Sequence, residues 1–250
     1  MYQQLKPYLA SFLRRFGTHN NLRAGFLFDL FERRYSIGNC SIDVPRDLTD
    51  RAFRSRFFFR VYETEEVDFV QDYVQPDDVV LEVGGCLGVV SCVTNQQLAE
   101  PAQHVVVEAN PQLIPWLEHN RDRNDCHFQV EHALVADDHD GTFYLHDLVV
   151  GGSATRETER TVQVPVVSLG DLSSQMPEPF SVCILDIEGG EHELITRHPG
   201  FFENLRLVIV EFHDHLDIIS ADEADACRKI LRNAGLQRRE VKTQVEVWVR

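Results

Sequence analysis

Residues 79–88, V-V-L-E-V-G-G-C-L-G, constrain the fold of this 250-residue chain more than any other stretch. A run of β-branched and apolar residues that stops at glycine is typical of a buried parallel strand followed by a tight turn. Gly84 and Gly88 allow backbone conformations and close approaches that a Cβ would block. The segment therefore predicts a strand over 79–83, a glycine-rich turn, and a helix that begins near residue 87.

The rest of the chain alternates between apolar runs and helical patterns. Further core strands are predicted at residues 104–109, 127–135, 181–187 and 205–212, and helices at 63–74, 87–98, 189–198 and 221–234. This alternation predicts an α/β fold in which helices cover both faces of a mostly parallel sheet. Residues 137–160 form an irregular insert, followed by a short strand at 161–167. The V-x-V-x-V pattern within 241–249 predicts one antiparallel strand added to the sheet.

The first sixty residues differ from the remainder in charge and pattern. They hold eleven Lys/Arg against five Asp/Glu, whereas the remainder holds thirteen against thirty-five. Apolar residues at helical spacing predict helices at 2–16 and 22–31, which could also join two copies of the chain as a homo-oligomer. We therefore divide the chain into a helical cap extension, residues 1–60, and a core domain, residues 61–250.

Residues 51–60, R-A-F-R-S-R-F-F-F-R, interleave arginines with aromatic residues just before the core domain. One interpretation is a cap strand with solvated arginines. The other is a substrate lid whose arginines meet an anionic or sugar-like acceptor.

Composition narrows the class of protein. The net charge of −16 argues against nucleic acid as the main partner. No run of about 18 apolar residues predicts a transmembrane helix. The six cysteines form no C-x-x-C pair, which favours neither a zinc site nor a disulfide framework and predicts a reduced, cytoplasmic protein.

Acidic residues follow the predicted strands at the edge where ligands bind in open α/β sheets. The strand ends carry Glu82, Glu108, Asp186 with Glu188, and Glu211 with His213. Glu108 lies twenty-four residues after Gly84, at the spacing of an acid that accepts hydrogen bonds from two ribose hydroxyls. Carboxylates that meet in one cleft can orient a hydroxyl, accept its proton or hold a divalent cation. Asp186, Glu211 and His213 are the candidates for an oxygen/nitrogen site for a cation such as Mg²⁺.

Four segments together resemble one family. The pattern Glu-x-Gly-x-x-x-Gly in 79–88 looks like the nucleoside-binding turn of methyltransferases that use S-adenosylmethionine (SAM). With V-V-V-E-A-N-P, S-V-C-I-L-D-I-E-G-G-E-H-E-L-I and V-I-V-E-F-H in that order, the chain resembles FkbM-type methyltransferases. The resemblance covers residues 60–211 and implies a Rossmann-like, class I methyltransferase sheet with SAM as the cofactor.

The resemblance also implies roles for individual residues. The methionine end of SAM would be held by Glu82, Gly84, Gly85 and Gly88, and the ribose by Glu108. The segment Ala133 to Asp137 would lie beside the adenine, and Asp186 and Glu188 would face the methyl-transfer centre. Asn110, next to the ribose acid, is assigned to the cofactor site as well, and also as the N-cap of the following helix.

The expected reaction is in-line methyl transfer to a hydroxyl of a sugar, glycolipid or secondary metabolite, free or carrier-attached. Catalysis would come from holding the two reactants in near-attack geometry, with a proton acceptor beside them. His213 is the first candidate base, because neutral imidazole is available near pH 7; Asp186 or Glu188 is the second. The alternatives are a nicotinamide-dependent oxidoreductase, which would favour G-x-G-x-x-G at the turn, and a non-catalytic SAM-binding module.

Overall fold

The computed structural model describes residues 21–32, 34–137, 140–146, 152–153, 156–214 and 218–250. The predicted helix at 2–16 lies outside these residues. Helix α1 (Leu22–Leu27) runs into a π-helical turn (Phe28–Glu32) and is followed by a hairpin of β1 (Arg34–Ile37) and β2 (Cys40–Asp43). Helices α2 (Arg51–Phe59) and α3 (Thr64–Tyr73) then lead into the core domain.

The remaining elements alternate as the sequence predicts. The strands are β3 (Val80–Val83), β4 (His104–Glu108), β5 (Gln129–His132), β6 (Leu134–Val135), β7 (Thr142–Tyr144), β8 (Thr161–Gln163), β9 (Val166–Val167), β10 (Val182–Leu185), β11 (Leu207–Glu211), β12 (Gln237–Lys242) and β13 (Val245–Val249). The helices are α4 (Val89–Asn95), α5 (Ile114–Arg123), α6 (Leu169–Ser174), α7 (Glu191–Arg197), α8 (Pro199–Phe202) and α9 (Ala221–Asn233).

Seven strands form the main sheet in the order β12-β13-β11-β10-β3-β4-β5. Strands β3, β4, β5, β10 and β11 are parallel, whereas β13 runs antiparallel to both of its neighbours. The chain starts at β3, moves outward to β5, and returns to β10 on the other side of β3. The strand order therefore reverses beside β3, where open α/β sheets bind their ligands.

Helices cover both faces of the sheet and divide its side chains between two hydrophobic cores. Every residue of β3 is buried, and Val80 packs in one core while Leu81 packs in the other. Phe28, Phe53 and Phe57 share the core of Val80, so the described part of the cap extension packs on the same hydrophobic cluster as the core domain. The domain boundary at residue 60 stays a prediction. None of the helices in the described part of the chain is long and apolar enough to cross a membrane.

The fold prediction is confirmed: the structure is a Rossmann-like α/β sheet, mostly parallel, with one antiparallel strand near its C-terminal edge. Two predicted strands are shorter and divided. The strand at 127–135 is split into β5 and β6, which leave Ala133 between them and join different sheets, and the strand at 161–167 is split into β8 and β9 around Pro165. Proline lacks the N–H that a continuous ladder needs.

Two other local predictions are wrong. The cap-strand interpretation of residues 51–60 is wrong. Helix α2 forms instead, because Asp50 caps it at the N–H of Phe53, and Phe53 and Phe57 bury one face. The predicted strand at 241–249 is a hairpin, in which Thr243 has a φ of 54° between β12 and β13.

Asn110 does not cap helix α5, which begins four residues later. Leu113 occupies the N-cap position. The Asn110 side chain instead accepts a hydrogen bond from the N–H of Gln112, at 3.0 Å.

Candidate active site

A cavity of about 660 Å³ opens at the carboxyl edge of the sheet, beside the reversal of strand order. This volume lies in the usual range of ligand pockets, roughly 300–1,000 Å³. Its floor is formed by residues that end four strands or follow them: Val83, Gly84, Glu108, Asp186 and Glu211. Helices α2, α3 and α7 contribute further wall residues. The sequence prediction of a ligand site at these strand ends is therefore matched by a cavity.

The glycine turn after β3 is required by the chain's own packing. Gly84 has a φ of 101°, and a Cβ there would lie 1.8 Å from the carbonyl oxygen of Asp186. A Cβ on Gly85 would lie 2.5 Å from the side chain of Val106, and one on Gly88 2.9 Å from Leu117. Among these three glycines only Gly84 lines the cavity. Gly85 and Gly88 therefore shape the turn from behind.

Glu82 faces away from the cavity, which corrects the prediction that it contacts a ligand. The residue is 1% exposed and is not part of the cavity wall. Its carboxylate accepts a hydrogen bond from the hydroxyl of Ser91 and lies 3.2 Å from Nε2 of His104. Both oxygens are thus used inside the fold, where they join β3 to helix α4 and strand β4.

Glu108 lines the cavity and fixes the turn at the same time. One carboxylate oxygen accepts a hydrogen bond from the N–H of Cys86 at 2.8 Å, and the other from the N–H of Asn110 at 2.7 Å. Burial raises the pKa of the carboxyl, against the lowering effect of these backbone N–H groups. A carboxylate offers about four acceptor sites, so these backbone contacts do not use all of them. Glu108 and Asn110 both line the cavity, and their contact with a cofactor stays a prediction.

The predicted adenine segment is only partly in the cavity. Ala133 and the three residues after it line the wall, and Ala133 is buried. Asp137 is exposed, does not line the cavity, and lies 3.7 Å from Nε2 of His198. Any contact from this segment comes from residues 133–136 and not from the Asp137 carboxylate.

The ends of β10 and β11 bring together the predicted catalytic residues. Nε2 of His213 lies 3.6 Å from Asp186, 3.8 Å from Glu188 and 4.0 Å from Glu211. Its Nδ1 lies 2.8 Å from a carboxylate oxygen of Glu191, the first residue of helix α7. The histidine is 3% exposed, whereas the side chains of Asp186, Glu188 and Glu211 are partly exposed.

This arrangement opposes the prediction that His213 is a neutral base. Burial by itself would lower the pKa of His213, but the hydrogen bond to Glu191 and the charges of Asp186 and Glu188 raise it to about 10. The imidazole is therefore protonated near neutral pH, and an imidazolium cannot accept a proton.

The pKa values of the Asp186 and Glu211 carboxyl groups are raised, which is the direction that strengthens a base. Burial, together with the charge of Glu211, raises the pKa of Asp186 well above its ordinary value. Burial also raises the pKa of Glu211 to about 7. A carboxylate whose pKa is raised toward neutrality holds an accepted proton more firmly than an ordinary one.

The three candidate metal ligands also meet. One ligand atom from each of Asp186, Glu211 and His213 lies within 4.8 Å of the others. A cation bound there would have to displace the proton on Nε2 of His213, because only a neutral imidazole nitrogen can ligate. The geometry thus brings three ligand atoms within reach of one cation.

Four acidic residues of the described cavity wall are not predicted from the sequence: Glu63, Glu65, Glu66 and Glu193. Glu63 and Glu66 lie at the start of helix α3, and burial raises the pKa of each to about 8. Oε2 of Glu66 is buried and has no hydrogen-bond partner among the described residues. Nothing in the periodicity of residues 63–74 separates these two acids from the solvated ones on the same helix.

Several wall residues hold strained backbone. Glu63, Cys86 and Glu188 line the cavity with φ values of 50°, 46° and 50°, a region that residues with a Cβ rarely occupy. Strained positions of this kind cluster at binding and catalytic sites.

The irregular insert also reaches the site. The hydroxyl of Ser153 donates to the carbonyl of Glu188 at 2.9 Å, and the Arg156 guanidinium lies 3.3 Å from the Glu188 carboxylate. Phe143 and Gly152 complete this side of the wall. The described residues of the insert therefore form part of the cavity wall beside the end of β10.

Two solved structures resemble the chain in topology. A precorrin-6y C5,15-methyltransferase from Geobacter metallireducens matches with a TM-score of 0.49 and 10% identity over 84% of this chain and 95% of that one. A methyltransferase from Pyrococcus furiosus matches with a TM-score of 0.47 and 10% identity over 91% and 96%.

Sequence comparison gives the family. The hexuronic acid methyltransferase AglP of Haloferax volcanii is 25% identical over 158 residues, which are 62% of this chain and 64% of that protein. The match thus spans less than two thirds of the relative's length. The model of the methyltransferase FkbM domain matches residues 82–237, more than half of the chain. The chain belongs to the FkbM methyltransferase domain family.

Proposed function

We propose that the protein transfers a methyl group from SAM to a hydroxyl oxygen of a sugar, with a uronic-acid sugar as the first acceptor to test. The observation that carries this proposal is the cavity at the carboxyl edge, where the glycine turn and Glu108 meet the carboxylates of β10 and β11. The name of the Haloferax volcanii relative supports a hexuronic acid as the acceptor.

The residues present fit SAM. Gly84, Glu108, Asn110 and residues 133–136 would hold the nucleoside, because Glu108 keeps oxygen lone pairs at the cavity surface and the wall beyond it is apolar. The acids near Asp186 would face the amino and sulfonium groups, whose positive charges offset repulsion among buried carboxylates. SAM supplies an activated methyl group. The protein's task is therefore orientation, exclusion of water and removal of one proton.

Asp186 is the proposed proton acceptor. Its raised pKa gives it more affinity for the hydroxyl proton than an ordinary aspartate has. His213, held as imidazolium by Glu191, would keep the surrounding carboxylates in place by its charge. Glu188 is paired with Arg156 and is the weaker candidate.

This mechanism uses no metal, since Asp186 accepts the proton and no step needs a Lewis acid. We therefore expect chelation with EDTA to leave turnover unchanged. A loss of turnover that Mg²⁺ restores would instead bring the cation into the reaction at Asp186, Glu211 and His213.

The first experiment is calorimetric titration of the protein with SAM, S-adenosylhomocysteine and NADH. Binding of the two adenosyl ligands that weakens at least about tenfold in Glu108→Gln supports the cofactor and its site. Glu100→Gln, an exposed acid outside the cavity, is the matched control. Preference for NADH would move the protein to the oxidoreductase class, and absence of adenosyl binding would end the proposal.

The second step is an assay with labelled SAM and a glucuronic acid glycoside. Alkali-stable incorporation indicates an ether on a hydroxyl, whereas alkali-labile incorporation indicates an ester on the carboxylate and would correct the proposed position. Binding of SAM without transfer to any sugar tested would favour a non-catalytic SAM-binding module.

A further inference from the structure

Arg56 is the one arginine of the segment 51–60 that lines the cavity. Arg51 and Arg54 contact Asp29 on the far side of helix α2, at 3.5 and 2.7 Å. Arg60 donates to the carbonyl oxygen of Ser36 at 2.7 Å. Three of the four arginines are therefore used within the cap extension, and one is turned toward the ligand space.

The side chain of Arg56 is held in place without being paired. Its guanidinium lies over the ring of Phe53, 5.2 Å from the centroid. Its Nε is buried and has no hydrogen-bond partner among the described residues, and no ion pair with a described carboxylate involves it. Arg197, the other arginine of the described cavity wall, contacts Glu193 at 3.0 Å.

Arg56 forms no ion pair with a described residue although the cavity wall around it is acidic. Eight of the described residues that line the cavity are acidic: Glu63, Glu65, Glu66, Glu108, Asp186, Glu188, Glu193 and Glu211. An arginine needed only for structure would lower its free energy by pairing with one of them, and a buried N–H without a partner is costly. The aromatic support keeps the guanidinium apart from these acids, so its planar set of donors is free for an oxygen ligand.

We propose that Arg56 binds a ligand carboxylate in the active-site cavity. The inference rests on the proposed function, in which two carboxylates can reach this wall. One belongs to the methionine part of SAM, and the other to a uronic-acid acceptor. Both present the same two-oxygen anion to the guanidinium, and the experiment separates them.

The first arm tests the SAM carboxylate. SAM and decarboxylated SAM are titrated into the wild type, Arg56→Gln and Arg56→Lys, with Arg51→Gln as a control that removes the same charge outside the cavity. If Arg56 binds this carboxylate, the wild type prefers SAM by about 10- to 100-fold, as a charge-assisted bidentate contact predicts, and Arg56→Gln loses that preference. Arg56→Lys keeps the charge but lacks the fork, so it retains only part of it.

The second arm tests the acceptor carboxylate. Methyl transfer to a glucuronic acid glycoside is compared with transfer to the matching neutral glucoside. If Arg56 binds the uronate, Arg56→Gln raises KM for the glucuronoside about 10- to 100-fold, changes KM for the glucoside little, and leaves SAM affinity unchanged.

Either pattern supports the proposal and identifies the carboxylate. Equal behaviour of Arg56→Gln and Arg51→Gln in both arms, with wild-type melting temperatures, would overturn it. That result differs from failure of the proposed function, in which the wild type itself would bind no SAM or would transfer no methyl group.

Discussion

At Gly84 one missing Cβ lets two strands end side by side. The carbonyl oxygen of Asp186 occupies the space that a side chain would need, 1.8 Å from an ideal Cβ, and φ is 101°. The position therefore combines a steric requirement with a backbone conformation that only glycine adopts readily. Glycine is therefore required here by the packing of β10 beside β3, whether or not a ligand is bound.

We expect Gly84→Ala to lower the free energy of unfolding by roughly 2–4 kcal/mol, because both the contact and the φ angle must relax. Denaturant unfolding measures this. Gly200→Ala is the matched control, since its ideal Cβ has no heavy atom within 4 Å apart from its chain neighbours and its own helix backbone. Equal stability of the two variants would contradict the packing account.

Asp186→Asn tests the assignment of the base. Asparagine keeps the shape of the side chain but cannot accept the hydroxyl proton, so we expect turnover to fall at least about 100-fold while the affinity for S-adenosylhomocysteine changes only a few-fold. Asp214→Asn is the control, because Asp214 follows His213 but pairs with Arg228 outside the cavity wall. If turnover does not fall, Asp186 is not the base, and Glu211 becomes the candidate.

At the scale of elements, helix α7 sets the charge state of His213. Glu191 is fully buried and accepts hydrogen bonds from the N–H of Gly189 and from Nδ1 of His213, at 3.0 and 2.8 Å. The first turn of α7 is thereby joined to the residue that follows β11. The protonation of the histidine thus depends on how these two elements pack.

We expect Glu191→Gln to lower the pKa of His213 from about 10 by at least about one unit, because an amide replaces the charged hydrogen-bond partner. A titration of the histidine ring signals by NMR measures it. Exposed His119, which pairs with Asp43 outside the cavity wall, is the reference histidine in the same spectra. An unchanged pKa of His213 would mean that Asp186 and Glu188, not Glu191, keep the imidazole protonated.

The predictable elements are those whose pattern is local. Strands β3, β4, β10 and β11 are short, mostly apolar runs. Their carboxyl ends, and the acids at those ends, could therefore be located from the sequence. Strand β12 could not be located from the sequence, because four of its six residues, Q-R-R-E-V-K, are charged and no apolar run marks it; it forms by pairing with β13.

The unpredicted part of the site depends on packing between distant segments. Arg56 and Glu66 reach the cavity because α2 and α3 lie against the sheet edge, and no spacing within either helix signals this. The orientation of Glu82 away from the cavity is set by Ser91 and His104, which the strand pattern does not reveal.

At the scale of the whole molecule, buried ionisable groups make stability depend on pH. The pKa values of Glu63 and Glu66 rise from 4.5 to about 8, and that of His213 from 6.5 to about 10. Between its ordinary pKa and its raised pKa, each group binds more protons in the folded state than in the unfolded state. The stabilisation from this extra proton binding is complete below the ordinary pKa and is lost as the pH rises through the raised pKa.

We therefore expect the melting temperature of the ligand-free protein to fall between about pH 6 and pH 9. Glu66→Gln removes one buried carboxyl, so the variant should lose less stability over this range than the wild type. Asp72→Asn, an exposed change on the same helix, should follow the wild type. A melting temperature that rises with pH would contradict the burial of these acids.

Two predictions about partners stay predictions. The acidic core domain argues against nucleic acid, and the exposed side chains of Leu22, Phe26, Leu30 and Phe31 leave room for a homo-oligomer through the N-terminal helices. Light scattering and an electrophoretic shift assay would test them.

The position of β13 also bears on solubility. Without the β12–β13 hairpin, β11 would be an outer strand whose sequence, L-V-I-V-E, is the kind of bare apolar edge that recruits other chains into intermolecular sheets. The hairpin covers that edge and replaces it with the charged residues of β12. The last two strands thus protect the protein against aggregation.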